Sequence, residues 1–104
     1  MDDNLKEKID NKVQSQRVML FMKGTPAFPQ CGFSNQAIQI LRFHSAEFGT
    51  VNVLDDTEIR EGIKEYGNWP TIPQLYIDGE FVGGADIMME MHNAGEIAGL
   101  LTPE

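Results

Sequence analysis

Five consecutive apolar residues, Val18 to Met22, constrain the fold of this chain more than any other segment does. The length of the run and its valine and phenylalanine content favour a β-strand that is buried on both faces. A sheet that contains such a strand needs a covering layer on each side. The sequence therefore predicts an α/β fold in which helices flank a central sheet.

The first half of the chain supplies two of these helices. Leu5, Ile9 and Val13 recur at four-residue spacing, which predicts an amphipathic helix from Asn4 to Ser15. Residues 23–30 contain glycine and two prolines and form a loop that ends at Cys31. A second helix is expected from about Phe33 to His44, with an apolar stripe of Phe33, Ala37, Ile38 and Leu41 that can extend to Phe43.

The second half alternates in the same way. Thr50 to Leu54 reads as a strand, and Asp55, Asp56 and Thr57 offer caps for a helix that Gly67 stops. Asp78-Gly79 between two apolar runs is a strong signal for a β-hairpin with strands 75–77 and 80–82. Helix follows over residues 87–92 and 96–101, with a weak point at Gly95. The order α, β, α, β, α, β, β, α resembles the thioredoxin fold.

Composition sets limits on size and function. The 104 residues, of which 41% are hydrophobic, suit a single domain over residues 1–104. The net charge of −8 argues against nucleic acid as a partner, and no run approaches the roughly 20 apolar residues of a membrane span. The opening ten residues are too acidic and polar for a signal or transit peptide, so we expect a cytoplasmic protein.

Cys31 is the single cysteine, so no disulfide can form within the chain. Its position, where a loop enters a helix, places the sulfur near unpaired N–H groups and favours the thiolate. The alternative is a buried structural cysteine, the usual fate of a free thiol. Ser34 stands where a Cys-x-x-Cys pair would carry its second thiol, so Cys31 must react with an external thiol or share a metal with external thiolates.

Four motifs together resemble one family. Cys31-Gly32-Phe33-Ser34 is similar to the signature of monothiol glutaredoxins, and the other three keep that family's order and approximate spacing over nearly the whole chain. They are Lys23 before a long proline-containing loop, the segment Trp69-Pro70-Thr71-Ile72-Pro73-Gln74, and Gly83-Gly84-Ala85-Asp86.

The resemblance implies a thioredoxin-like (glutaredoxin) fold with a four-stranded mixed sheet, a bound glutathione, and a 2Fe-2S cluster shared by the Cys31 residues of a homodimer. It also implies delivery of the cluster to iron-sulfur acceptor proteins and a BolA-like partner. The residues expected to bind glutathione or the cluster, with Cys31 as the metal ligand, are Lys23, Cys31, Phe33, Arg60, Ile72, Gly84, Ala85 and Asp86.

Three of these positions carry a more detailed expectation. The family's proline after Ile72 is cis, which leaves the Ile72 backbone free to pair with the extended tripeptide. Asp86 is expected to cap the last helix and to meet the ammonium group of the ligand. Ala85 stands where many relatives carry a second cysteine, so only a backbone contact is expected there.

Two other functions stay open. Cys31 can serve as the nucleophile of a glutathione-dependent thiol-disulfide oxidoreductase that removes glutathione from protein thiols. The resemblance favours the cluster carrier, because relatives with the long loop Gly24 to Gln30 are typically poor at this reaction. A pure interaction module would be indifferent to the loss of Cys31.

We expect His44 and His92 to be non-functional.

Overall fold

The computed structural model describes residues 1–103 and contains a four-stranded mixed sheet with helices on both faces. Its elements in chain order are α1 (Asp3–Val13), β1 (Val18–Met22), α2 (Gly32–Phe43), β2 (Gly49–Asn52), a 3₁₀ turn (Val53–Asp55), α3 (Thr57–Tyr66), β3 (Gln74–Ile77), β4 (Glu80–Gly83), α4 (Ala85–Asn93) and α5 (Ile97–Leu101). The predicted order of elements and the predicted fold class are confirmed.

The strand order is β2-β1-β3-β4. β1 pairs with β2 in parallel and with β3 antiparallel, and β3 pairs antiparallel with β4. The βαβ unit and the hairpin therefore form as predicted, and Asp78 and Gly79 both adopt the positive φ angles, 54° and 81°, that their tight turn requires.

The predicted burial of β1 on both faces is confirmed. Val18, Leu20 and Met22 belong to the core on the side of α2, α4 and α5, whereas Phe21 belongs to the core under α1 and α3. All five residues of β1 are buried. β1 contributes side chains to the cores on both faces of the sheet, so it connects the two helical layers.

Some boundaries differ from the prediction. The chain leaves the second strand after Asn52 and forms a 3₁₀ turn, because the Asn52 side chain accepts a hydrogen bond from the Leu54 N–H at 3.0 Å and turns the backbone. The last helix begins at Ala85, two residues before the predicted start, and Gly95 separates α4 from α5 at φ 75°.

The apolar stripe of α2 also differs. Ala37, Ile38 and Leu41 are buried as predicted, but Phe33 is 59% exposed and Phe43 is 73% exposed. The buried face of the helix continues through Ser34 and Ile40 instead, so both phenylalanines lie beside it. None of the helices among residues 1–103 combines the length and the apolar character needed to cross a lipid bilayer.

The double burial of β1 yields a stability prediction. Leu20→Ala removes a side chain with 0% exposure, and we expect it to lower the free energy of unfolding by about 2–5 kcal/mol. Leu54→Ala is the matched control, since Leu54 is 43% exposed and the same truncation there should cost less than about 1 kcal/mol. Urea unfolding of both variants measures the difference, and equal losses would contradict a core centred on β1.

Candidate functional site

Cys31 occupies the N-cap position of α2, in extended backbone conformation, and is partly exposed. Burial alone would raise the pKa of its thiol, but the backbone N–H groups of Ser34 and Phe33 lower it. The charge of Lys23 and the Ser34 hydroxyl act in the same direction, so the pKa of Cys31 lies below the ordinary thiol value. The predicted thiolate-favouring position is confirmed.

Ser34 has a structural role that the sequence did not reveal. It is fully buried, and its hydroxyl oxygen accepts a hydrogen bond from the Lys23 backbone N–H at 3.0 Å. The residue at the position of a second thiol therefore ties the end of β1 to the first turn of α2. This contact brings Lys23 and Cys31 to the same place.

Two adjoining cavities lie at this position, and Cys31 lines the first of them. The first, of about 270 Å³, is lined by Cys31 and by residues from the end of β1, the start of α2, α3 and the segment before β3. These residues are Lys23, Phe33, Arg60, Lys64, Pro70, Thr71 and Ile72. The second, of about 140 Å³, is lined by Phe33, Trp69, Thr71, Ile72, Pro73, Gly84, Ala85 and Asp86. Phe33, Thr71 and Ile72 line both, and together the two cavities include every residue predicted for the site.

The charges at the two ends of this groove are opposite. Lys23 and Arg60 line the first cavity, and neither forms a salt bridge with any residue in 1–103. Lys64 lines it too, but is paired with Glu61 at 3.0 Å. Asp86 is exposed at the far end, in the first turn of α4. A ligand with a carboxylate at one end and an ammonium group at the other matches this arrangement.

Asp86 does not cap α4, so that part of the prediction is wrong. Gly84 is the N-cap residue and makes no side-chain cap, whereas Asp86 lies inside the first turn. Its carboxylate still complements the positive end of the helix dipole. The chain passes close to the wall at Gly84, because a Cβ atom there would lie 3.1 Å from Trp69 Nε1 and 3.3 Å from the Pro73 carbonyl oxygen.

The segment Trp69–Pro73 forms the shared wall of both cavities. The Ile72–Pro73 peptide bond is cis, as the resemblance implied. Sequence reasoning did not assign Lys64, Trp69, Pro70, Thr71 or Pro73 to the site, although five of the motif's six residues form this wall. The indole N–H of Trp69 is buried and has no hydrogen-bond partner in the described part of the chain.

His44 and His92, which the sequence predicts to be non-functional, lie against each other in the fold. Their ring nitrogens are 3.0 Å apart, at the C-terminal ends of α2 and α4. The residues lie 48 positions apart in sequence, so no local pattern could have shown this contact. Two larger cavities lie beside these histidines. One, of about 590 Å³, is lined by His44 and the other, of about 660 Å³, by His92, and neither is lined by Cys31.

Comparison with known proteins agrees with this geometry. The glutaredoxin family profile matches residues 18–82. A monothiol glutaredoxin of Synechocystis sp. is 55% identical over 101 residues, which cover 97% of this chain and 94% of that protein. The chain belongs to the monothiol glutaredoxin family. A mitochondrial monothiol glutaredoxin-5 of Lachancea kluyveri is 54% identical over 99 residues, or 92% of this chain and 69% of that protein.

Solved structures agree with the fold of this glutaredoxin. The solution structure of reduced apo GrxS14 from poplar matches with a TM-score of 0.80 and 54% identity, and covers 91% of this chain and 87% of that one. The holo form of glutaredoxin C1 from Populus tremula x tremuloides matches with a TM-score of 0.85 and 25% identity, over 95% of this chain and 87% of that one.

The electrostatics of the thiol can be tested directly. Lys23→Met removes a positive charge that acts on Cys31, so we expect the pKa of the thiol to rise towards its ordinary value. The rate of alkylation by iodoacetamide between pH 4 and about 10 measures this pKa, because only the thiolate reacts.

Lys64→Met is the matched control. It removes the same charge from the same cavity, but Lys64 is paired with Glu61 and is not among the groups that lower the pKa of Cys31. An equal rise in both variants would show that general charge, and not the position of Lys23, tunes the thiol.

Proposed function

We propose that this glutaredoxin binds glutathione in the two adjoining cavities and, as a homodimer, carries a shared 2Fe-2S cluster to acceptor proteins. The observation that supports the proposal most is the placement of one stabilised, partly exposed thiolate beside two cations without a salt-bridge partner among residues 1–103. A chain with a net charge of −8 that keeps such cations at one place favours an anionic ligand there.

The donor atoms fit a shared cluster and do not fit one held by a single chain. Residues 1–103 contain no group of three or more histidine, cysteine or acidic side chains able to hold a metal ion, and Cys31 is the only cysteine. A 2Fe-2S cluster ligated by sulfur needs four thiolates. Two chains with two glutathione molecules supply this number, and the lowered pKa of Cys31 keeps its sulfur in the form that binds iron.

The groove fits the charges of glutathione. Lys23 and Arg60 lie where they can bind one carboxylate of the tripeptide. At the far end, Asp86 can receive the ammonium group, while the unpaired N–H groups in the first turn of α4 can bind the neighbouring carboxylate. The thiol of the tripeptide would then lie near Cys31, between the two ends.

The oxidoreductase is the second candidate, and the lowered pKa of the partly exposed thiol favours it as well. In that reaction, the Cys31 thiolate attacks the glutathione sulfur of a mixed disulfide and releases the protein thiol. A second glutathione thiolate then attacks this sulfur, which frees Cys31 and yields oxidised glutathione. We place it second because the resemblance to relatives with the long loop Gly24–Gln30 points to weak turnover.

A BolA-like partner and a cytoplasmic location stay predictions. The relatives at about this similarity include a mitochondrial protein, so membership in the family does not determine the compartment.

The decisive experiment is anaerobic reconstitution with iron and sulfide, with and without glutathione. We expect a coloured species with the size-exclusion mass of a dimer only when glutathione is present. Cys31→Ser should stay colourless and monomeric. A colourless wild-type monomer that rapidly turns over a glutathione mixed disulfide would overturn the carrier and leave the oxidoreductase.

Glutathione affinity tests the groove by itself. Arg60→Met and Lys23→Met each remove one cation from the first cavity, and we expect each to weaken binding by about tenfold in isothermal titration. Lys12→Met makes the same charge change in the last turn of α1, away from both cavities, and should leave the affinity unchanged. Equal weakening by all three variants would indicate a non-specific charge effect.

A further inference from the structure

Gln74 is a fully buried polar side chain at the start of β3, directly behind the wall of the two cavities. Its Nε2 donates to the carbonyl oxygens of Trp69 and Thr71, each at 3.1 Å. Its Oε1 accepts a hydrogen bond from the Tyr76 hydroxyl at 2.9 Å. The side-chain amide of Gln74 therefore donates both of its hydrogen bonds to backbone carbonyl groups of the segment that lines the site.

These two hydrogen bonds from Gln74 are the main contacts that hold the wall in place. Residues 70–73 belong to no helix or strand, and two of them are prolines, which lack an N–H group. The Trp69 N–H bonds to the Lys64 carbonyl at 2.9 Å, which holds only the start of the segment. Between that point and β3, the side chain of Gln74 supplies the hydrogen bonds that an ordinary strand would take from its neighbour.

The bond to Thr71 determines the direction of the next N–H group. The Thr71–Ile72 peptide bond is trans, so its C=O and N–H point in opposite directions. Because the Thr71 carbonyl points inward to Gln74, the Ile72 N–H points outward, on the side where Ile72 lines both cavities. This N–H has no hydrogen-bond partner among residues 1–103.

The hydrogen bond from Gln74 to the Trp69 carbonyl does not expose a second backbone N–H group. The peptide unit that follows the Trp69 carbonyl ends at Pro70, which has no N–H group. Of the two peptide units whose carbonyl oxygens Gln74 binds, only the one that ends at Ile72 therefore carries an N–H donor, and Ile72 lines the first cavity together with Cys31.

We propose that Gln74 is a positioning residue that aims the Ile72 N–H at a backbone carbonyl of the peptide bound in the groove. The inference rests on the proposed binding of glutathione and adds the group that orients its backbone contact. An extended peptide bound along this wall accepts this hydrogen bond as an added strand would. Gln74 itself touches no ligand and acts only through the wall.

Gly67 is part of the same arrangement. A Cβ atom at this position would lie 2.5 Å from the Tyr76 hydroxyl oxygen and 2.7 Å from Gln74 Oε1. The absence of a side chain at the end of α3 therefore gives Tyr76 and Gln74 the space in which they meet.

The first test uses the unaltered protein. In ¹⁵N–¹H spectra, the Ile72 amide should show fast hydrogen exchange without ligand, and should move downfield and become protected when glutathione is added. An Ile72 amide that is already protected in the free protein, or that glutathione leaves unchanged while it binds, would overturn the inference.

The second test removes the amide donors. Gln74→Leu should weaken glutathione binding by about tenfold, the value of one lost hydrogen bond, and should abolish the downfield shift at Ile72. Gln74→Glu keeps the chain length and the acceptor for Tyr76 but lacks the amide donors, and should show the same loss if the leucine variant does not fold.

Tyr66→Phe is the matched control. It removes a hydroxyl that donates to Asp10 at 2.6 Å beside the same core and forms no hydrogen bond with residues 69–74, so it should lower stability and leave the affinity unchanged. Wild-type affinity in a folded Gln74 variant would overturn the inference alone. Failure of the wild type itself to bind glutathione would overturn the proposed function and the inference with it.

Discussion

The burial of β1 on both faces is the constraint on which the rest of this structure depends. A strand with no exposed face must be central, so β2 and β3 pair along its two edges and helices cover both sides. The pairing then places the ends of several elements together. β3 begins opposite the end of β1, where Gln74 faces Phe21, and β4 ends opposite the start of β3, where Gly83 faces Leu75.

This convergence places the site at one edge of the sheet, the edge that is formed by the ends of the strands. The loop after β1, the start of α2, the segment before β3 and the start of α4 all lie at that edge, and β2 ends there as well, since Asn52 faces Met22 in the parallel pair. Ligand sites of α/β sheets lie outside strand ends for this reason. The groove around Cys31 is assembled from connections, while the strands behind them keep those connections in place.

Much of the fold could be predicted from local patterns. The apolar run of β1, the Asp78-Gly79 turn and the spacing in α1 and α3 each specify one element from neighbouring residues. The cap at Asp56 is equally local, since its side chain accepts from the N–H groups of Glu58 and Ile59. The candidate site residues came from motifs in register, and each of them lines at least one of the two cavities.

The features that could not be predicted depend either on contacts between distant segments or on where a residue lies within the first turn of a helix. Asp86 lies two residues beyond the N-cap position of α4, a difference that hydrophobic spacing cannot resolve. The exposure of Phe33 depends on where the first turn of α2 lies relative to the groove. The His44–His92 contact joins two helix ends, and the bonds of Gln74 to the wall appear only when β3 is in place.

The buried hydroxyl of Ser34 has a consequence for how a one-thiol and a two-thiol site differ. Sulfur accepts hydrogen bonds weakly, so a cysteine at this position would hold the Lys23 N–H less firmly than the serine oxygen does. The lack of a second thiol thus coincides with a tighter join between β1 and α2. In this chain, the Ser34 oxygen stands in place of a second thiol. The same atom forms the hydrogen bond that fixes the start of α2, where Cys31 lies.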